Sequence, residues 1–96
     1  MTAYMVLTHT VHDAAAFARD YIPAIRPVLQ KHHIEVIAIS LDTTPLEGDA
    51  NSAVVFRAAS EDVFRDFYDD PDFEGPKQIR HSMTSDRTMV VIPSFA

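Results

Sequence analysis

From Ala3 to Val11 (AYMVLTHTV) the chain is rich in β-branched and aromatic residues and contains neither Gly nor Pro, which predicts a strand. Asp13 then offers a side-chain oxygen to the free N–H groups of a helix beginning at Ala14. Within it Phe17, Tyr21, Ile25, Val28 and Leu29 fall at helical spacing and form one stripe for burial. Pro23 and Pro27 each remove a hydrogen bond and crowd the preceding turn, so a kink near Ile22 or two stacked pieces are expected. The helix ends around His32 and His33, where glycine would be usual. Ile34 to Leu41 (IEVIAISL) reads as a second strand with Glu35 its only charge, and Asp42 to Ser52 is turn chemistry throughout. Ala53 to Ala58 is a third strand. Ser60 caps the next helix, whose apolar stripe is Val63, Phe64, Phe67 and Tyr68. Asp70 and Pro71 open a further helical segment, Asp72 to His81, weakened by Gly75 and Pro76, and Arg87 to Ile92 is the last strand.

Strand, helix, strand, strand, helix, strand in a chain of this length is the split βαβ pattern. The expected fold is α+β, ferredoxin-like βαββαβ with a four-stranded antiparallel sheet, one domain over residues 1–96. Right-handed crossovers put the first and third strands side by side at the centre, where the two are expected to run parallel. Two helices cover only one face of such a sheet. Yet in Ala53-Val54-Val55-Phe56 and Met89-Val90-Val91-Ile92 both alternating phases are apolar, so the second face also needs a cover. A second copy of the chain, sheet against sheet, supplies one, and a homodimer is the expected assembly.

Tyr4, the Asp13 helix start, Leu46-Glu47-Gly48-Asp49, Val54-Val55-Phe56 with Ser60, the stretch Phe67-Tyr68-Asp69-Asp70-Pro71-Asp72-Phe73, and Arg80 occur in that order. Together they resemble the bacterial family described as domain of unknown function 1330, over essentially the whole chain. The resemblance implies a dimeric α+β barrel and no particular reaction. The sequence departs from the family pattern at His33, Ser40-Leu41, Ile39, Arg57 and Ile92-Pro93, where the family usually carries Gly, a Gly pair, Arg, Glu and Glu-Gly. These departures remove polar strand residues and leave His9 and Arg57 as the distinctive ones, which points to a repurposed pocket.

Composition narrows the function classes. Hydrophobic residues make up 47% of the chain and charged ones 23%, a globular balance. Fourteen acids against eight Lys and Arg give a net charge of −6, which disfavours nucleic acid or an anionic membrane as partner. With no cysteine there is no thiolate nucleophile, disulfide or iron–sulfur ligand. No apolar run is long enough to span a bilayer, and the first residues have no basic-then-apolar signal pattern, so a cytoplasmic location is expected. Phosphate-binding glycine loops, nucleophile elbows and HExxH are all missing. No cofactor or metal is expected.

His9, in phase with Met5 and Leu7, and Arg57, three residues before the Ser60 cap, are the candidate catalytic pair. If their strands run parallel, both side chains reach the same rim, where an imidazole moves a proton beside a guanidinium that holds a carboxylate or enolate. The alternative is that His9 hydrogen-bonds a backbone carbonyl, or that Arg57 pairs with a nearby acid at the dimer contact. Tyr68, Arg80, Phe17, Phe64 and Met5 are candidate ligand-binding residues, set against roles as core for the apolar ones and an ion pair from Arg80 to Asp69, Asp70 or Asp72. His32-His33 suggests a metal pair, but adjacent helical residues point apart, and capping of the helix end accounts for them better. Two readings follow. One is a small cofactor-independent enzyme that isomerises, cyclises, cleaves or oxygenates an apolar, aromatic or enolisable small molecule between sheet and helices. The other is a non-catalytic protein, either a binder of a small apolar or haem-like ligand or a dimeric interaction module.

Overall fold

The computed structural model describes residues 2–93. Eight elements follow in order: β1 (Ala3–Val11), α1 (Ala14–Asp20), α2 (Ile22–Lys31), β2 (Glu35–Ser40), β3 (Ser52–Ala58), α3 (Glu61–Tyr68), α4 (Pro71–Met83) and β4 (Thr84–Ile92). The strands form one sheet in the order β2-β3-β1-β4, and every neighbouring pair is antiparallel. The fold is ferredoxin-like. The central strands β1 and β3 are therefore antiparallel and not parallel. A right-handed crossover returns β2 in the direction of β1, and the β2–β3 hairpin then reverses the chain before β3 pairs with β1.

The first helical region breaks once, at Tyr21, which ends α1 and caps α2 while keeping helical dihedrals. Pro23 sits in the first turn of α2, where its missing N–H costs nothing, so one of the two prolines is spent on the break. Asp13 caps α1 through its side chain, accepting from the Ala16 N–H at 3.1 Å. Ser60 occupies the cap of α3 without making a side-chain bond. The last helix runs through Gly75 and Pro76 to Met83, because Phe73, Pro76 and Arg80 share its buried face and tertiary packing outweighs local propensity. At the end of α2, His33 adopts φ +54°. Its N–H bonds the Gln30 carbonyl at 3.1 Å and the Ile34 N–H bonds Leu29 at 2.9 Å, the paired bonds of a Schellman ending with histidine in the glycine position. The adjoining His32 Nε2 lies 2.6 Å from Asp70 Oδ2, and Lys31 Nζ lies 2.8 Å from the same oxygen. These bonds tie the end of α2 to the start of α4 and hold the Asp70 carboxyl well below the usual carboxylate range.

One sheet face carries Met5, Leu7, Val54 and Phe56 beneath Phe17, Ile25, Leu29, Phe64, Phe67 and Phe73 of the helices, and all are buried. The opposite face is also apolar: Tyr4, Val90 and Ile92 are exposed on it, beside Val6 and Val55. The helices stop short of β2, whose Val36 and Ile39 stay 42% and 51% exposed.

Candidate active site

Strand register decides which candidates meet. His9 pairs with Ser52 at one end of the central ladder, whereas Arg57 pairs with Tyr4 at the other. The two residues also face opposite sides of the sheet: His9 shares the helix-covered face with Met5 and Leu7, and Arg57 is exposed beside Glu35. Arg57 Nη2 lies 2.6 Å from Glu35 Oε1, a cross-strand ion pair on the uncovered face. The pairing of His9 with Arg57 expected from parallel strands is thus not formed.

His9 has other company. Its side chain is 1% exposed, and its Nε2 lies 3.1 Å from Ser52 Oγ. The ring meets Phe17 edge-on at 5.4 Å, and Phe17 stacks on Tyr21 at 4.8 Å. The other ring nitrogen, Nδ1, is buried without a hydrogen-bond partner among the described residues. Burial, reinforced by the positive charges of Arg80 and Arg87, pulls the imidazole down to about 4. At neutral pH His9 is therefore uncharged, with one nitrogen committed and one idle.

The sheet gives this position its geometry. Thr8 pairs with Thr88 and Thr10 with Ser85, so two β4 residues, Asp86 and Arg87, stand opposite His9 alone. Asp86 takes φ +51° in this bulge. Bulges re-aim side chains and recur beside active sites. Beyond Ser52 the ladder is extended by the Asn51 side chain, which accepts from the Val11 N–H at 2.7 Å and donates to the Val11 carbonyl at 3.0 Å.

A cavity of about 440 Å³ opens between the sheet and the α1–α2 layer. Leu7, Phe17, Ile25, Leu29, Ile34, Val54 and Phe56 make most of its wall, His9 and Ser52 its polar end, and Val36 and Ile39 its side along β2. Its size falls in the range of small-molecule sites, which are mostly apolar with a few polar groups. Of the other ligand-binding candidates, Phe17 lines this cavity, but Met5, Phe64 and Tyr68 border a separate depression near Met89 and Val91. Arg80 is 3% exposed, makes no ion pair with Asp69, Asp70 or Asp72, and leaves its Nε without a partner among the described residues. Burial lowers its proton affinity below the usual guanidinium value, the phenols of Tyr21 and Tyr68 oppose that, and it remains cationic. Tyr21, itself held at about 12 by burial, stays a neutral phenol. Ser52, Tyr21 and Arg26 also line the cavity and were not among the candidates. Antiparallel register would have placed Ser52 opposite His9, and Arg26 follows Tyr21 and Ile22 at the edge of the α2 stripe.

The family model described as Domain of unknown function (DUF1330) matches residues 2–95. The chain belongs to that family. No curated protein matches it. Among solved structures, a protein of unknown function from Rhodopseudomonas palustris superposes with a TM-score of 0.79 at 13% identity, covering 99% of this chain and 83% of that one. A dimeric protein of unknown function with a ferredoxin-like fold from Bacteroides fragilis gives 0.70 at 15% identity, covering 97% and 96%. SnoaB, a cofactor-independent oxygenase from Streptomyces nogalater, gives 0.72 at 14% identity, covering 99% and 94%. At such identities these likenesses establish the fold that this DUF1330 member shares. Its chemistry rests on its own residues. Among the described residues, no three His, Asp or Glu side chains converge as a metal-ligating group, and no helix is long and apolar enough to cross a membrane.

Proposed function

We propose that this DUF1330 protein is a homodimeric, cytoplasmic, cofactor-independent enzyme that performs acid/base chemistry on an apolar, aromatic or enolisable small molecule in the cavity under α1 and α2. The observation that carries this reading is a neutral imidazole, His9, buried at the end of an apolar cavity with one nitrogen held by Ser52 and the other unpartnered. A neutral base in a water-poor site takes a proton from an enol, a phenol or an acidic C–H. The cationic Arg80, whose field opposes a proton on His9, favours the enolate or phenolate left behind. Reprotonation at another atom gives isomerisation or cyclisation, and elimination or reaction of an electron-rich anion with oxygen gives lyase or oxygenase products. The cofactor-independent oxygenase among the fold neighbours supports this class by analogy of scaffold. The apolar outer sheet face and the dimeric neighbour support the homodimer.

The test uses 2-tetralone, a two-ring enolisable ketone, in D2O. The protein should accelerate exchange of its acidic C–H protons above the buffer rate, seen by proton NMR. His9→Ala should abolish the acceleration while sedimentation still shows a dimer. Equal acceleration by both proteins, or by neither, overturns the assignment.

A further inference from the structure

The mouth of the cavity has a charge pattern unlike the rest of the molecule. Fourteen of the residues in this chain are Asp or Glu, yet none of them lines the cavity. The cationic residue there is Arg26, exposed on α2 one turn before Gln30; Val36 and Ile39 of β2, also exposed, belong to the same lining. Five of the other Lys and Arg side chains pair with an acid: Arg19 with Asp20, Lys31 with Asp70, Arg57 with Glu35, Arg65 with Glu61 and Lys77 with Glu74, while Arg80 is buried without one among the described residues. Arg87 donates to the Thr84 carbonyl at 2.7 Å. Among the described residues, Arg26 has no carboxylate within ion-pair distance, although the chain has acids to spare.

From this geometry we infer that the cavity selects an amphipathic anion, a ring-bearing carboxylate or a molecule with an equivalent ionised oxygen, whose charge is held at the mouth by Arg26 while its apolar body lies against Phe17, Tyr21 and Leu29. The inference rests on the cavity being the ligand site, as proposed above, and adds the charge of the ligand and its orientation. The rise of one straight helix would separate Phe17, which touches His9, from Arg26 by roughly 13 Å, and the break at Tyr21 between α1 and α2 makes that an upper bound. The arginine side chain leans back toward the helix N-terminus and shortens that span, so a two-ring acid reaches from one end to the other. A guanidinium offers a planar fork that a carboxylate meets with two parallel hydrogen bonds, and a neutral amide in the same place loses the charge-assisted part. Orientation then follows: with the carboxylate at the mouth, the far end of the ring system is presented to His9.

The test compares 2-naphthoate with its neutral isostere 2-naphthamide by isothermal titration calorimetry on the intact protein. The native chain should bind the acid about three- to ten-fold more tightly than the amide, between the value of an exposed ion pair and that of a charge-assisted hydrogen bond. In Arg26→Gln that preference should vanish while amide affinity is unchanged. Arg65→Gln, an exposed cation on another helix, should leave it intact. Equal binding of acid and amide to the native chain, or an acid preference that survives Arg26→Gln, overturns the inference and leaves the acid/base reading standing. Failure of both compounds to bind at millimolar concentration overturns both readings.

Discussion

The burial of His9 makes folding sensitive to pH in one direction, and the size of the effect follows from the structure. The imidazole titrates at about 4 in the folded chain against an ordinary value of 6.5. In the unfolded chain it takes up a proton as pH falls through the ordinary value, while the folded chain resists until near 4. The contribution to stability is therefore fully present above pH 6.5 and is lost as pH falls toward 4. Between pH 7.5 and pH 5 the difference in proton binding is worth about 2 kcal/mol. Urea unfolding at fixed protein concentration, repeated across that range, measures it, and His9→Gln isolates it from other groups. His81, also held below its ordinary value, shifts stability in the same direction in both proteins and cancels in the comparison. The variant should lose about 2 kcal/mol less than the native chain over the interval, and the native imidazole should titrate near 4 by proton NMR. An imidazole midpoint near 6.5, or parallel stability curves for the two proteins, would refute the picture of a desolvated imidazole beside Arg80.

Two further outcomes probe other parts of the chain. His33→Gly should raise stability by about 0.5–1 kcal/mol, because a left-handed residue costs histidine more than glycine's extra chain entropy costs the unfolded state, and a rightward shift of the urea midpoint at unchanged slope reads it. Val90→Glu, on the exposed apolar face of β4, should convert the dimer into a monomer in sedimentation equilibrium without loss of helical circular dichroism; a dimer that persists would place the interface elsewhere.

Much of the fold was legible because its signals are local. The span of β1, the Asp13 cap, the break near Tyr21, the turn residues between β2 and β3 and the Asp70-Pro71 start of α4 all follow from the chemistry of neighbouring residues. The less legible parts depend on contacts distant in sequence. The last helix crosses Gly75 and Pro76 because Phe73 and Arg80 flank them on a buried face, and β4 begins at Thr84, before the apolar run, because pairing with Val11 continues it there. The double apolar phase of β3 and β4 carried more information than either strand alone, since with the βαββαβ topology it pointed to a second apolar face that the helices do not cover.

The placement of the candidate residues was half legible, and the missing half traces to strand direction. His9 stood out as the polar residue on the buried phase of β1, and the structure buries it there. Arg57 was matched to it on the premise that β1 and β3 run parallel. Reversing one strand leaves the ladder intact yet carries Arg57 from the His9 end of the sheet to the Tyr4 end, where Glu35 claims it. The same reversal brings Ser52 opposite His9, so a hydroxyl takes the place that a guanidinium was expected to hold. That exchange changes the chemistry. An arginine in contact would clamp an anion directly against the imidazole, whereas serine only orients the ring. The positive charge comes instead from Arg80, on a helix that the sequence reading had tied to the acidic corner and the structure leaves buried without an acid partner among the described residues. A buried cation without an acid is costly unless something negative visits it. His9 Nδ1 and Arg80 Nε both lack a partner among the described residues, yet His9 lines the cavity and Arg80 does not, so under the proposed function Arg80 acts on the site through its charge alone.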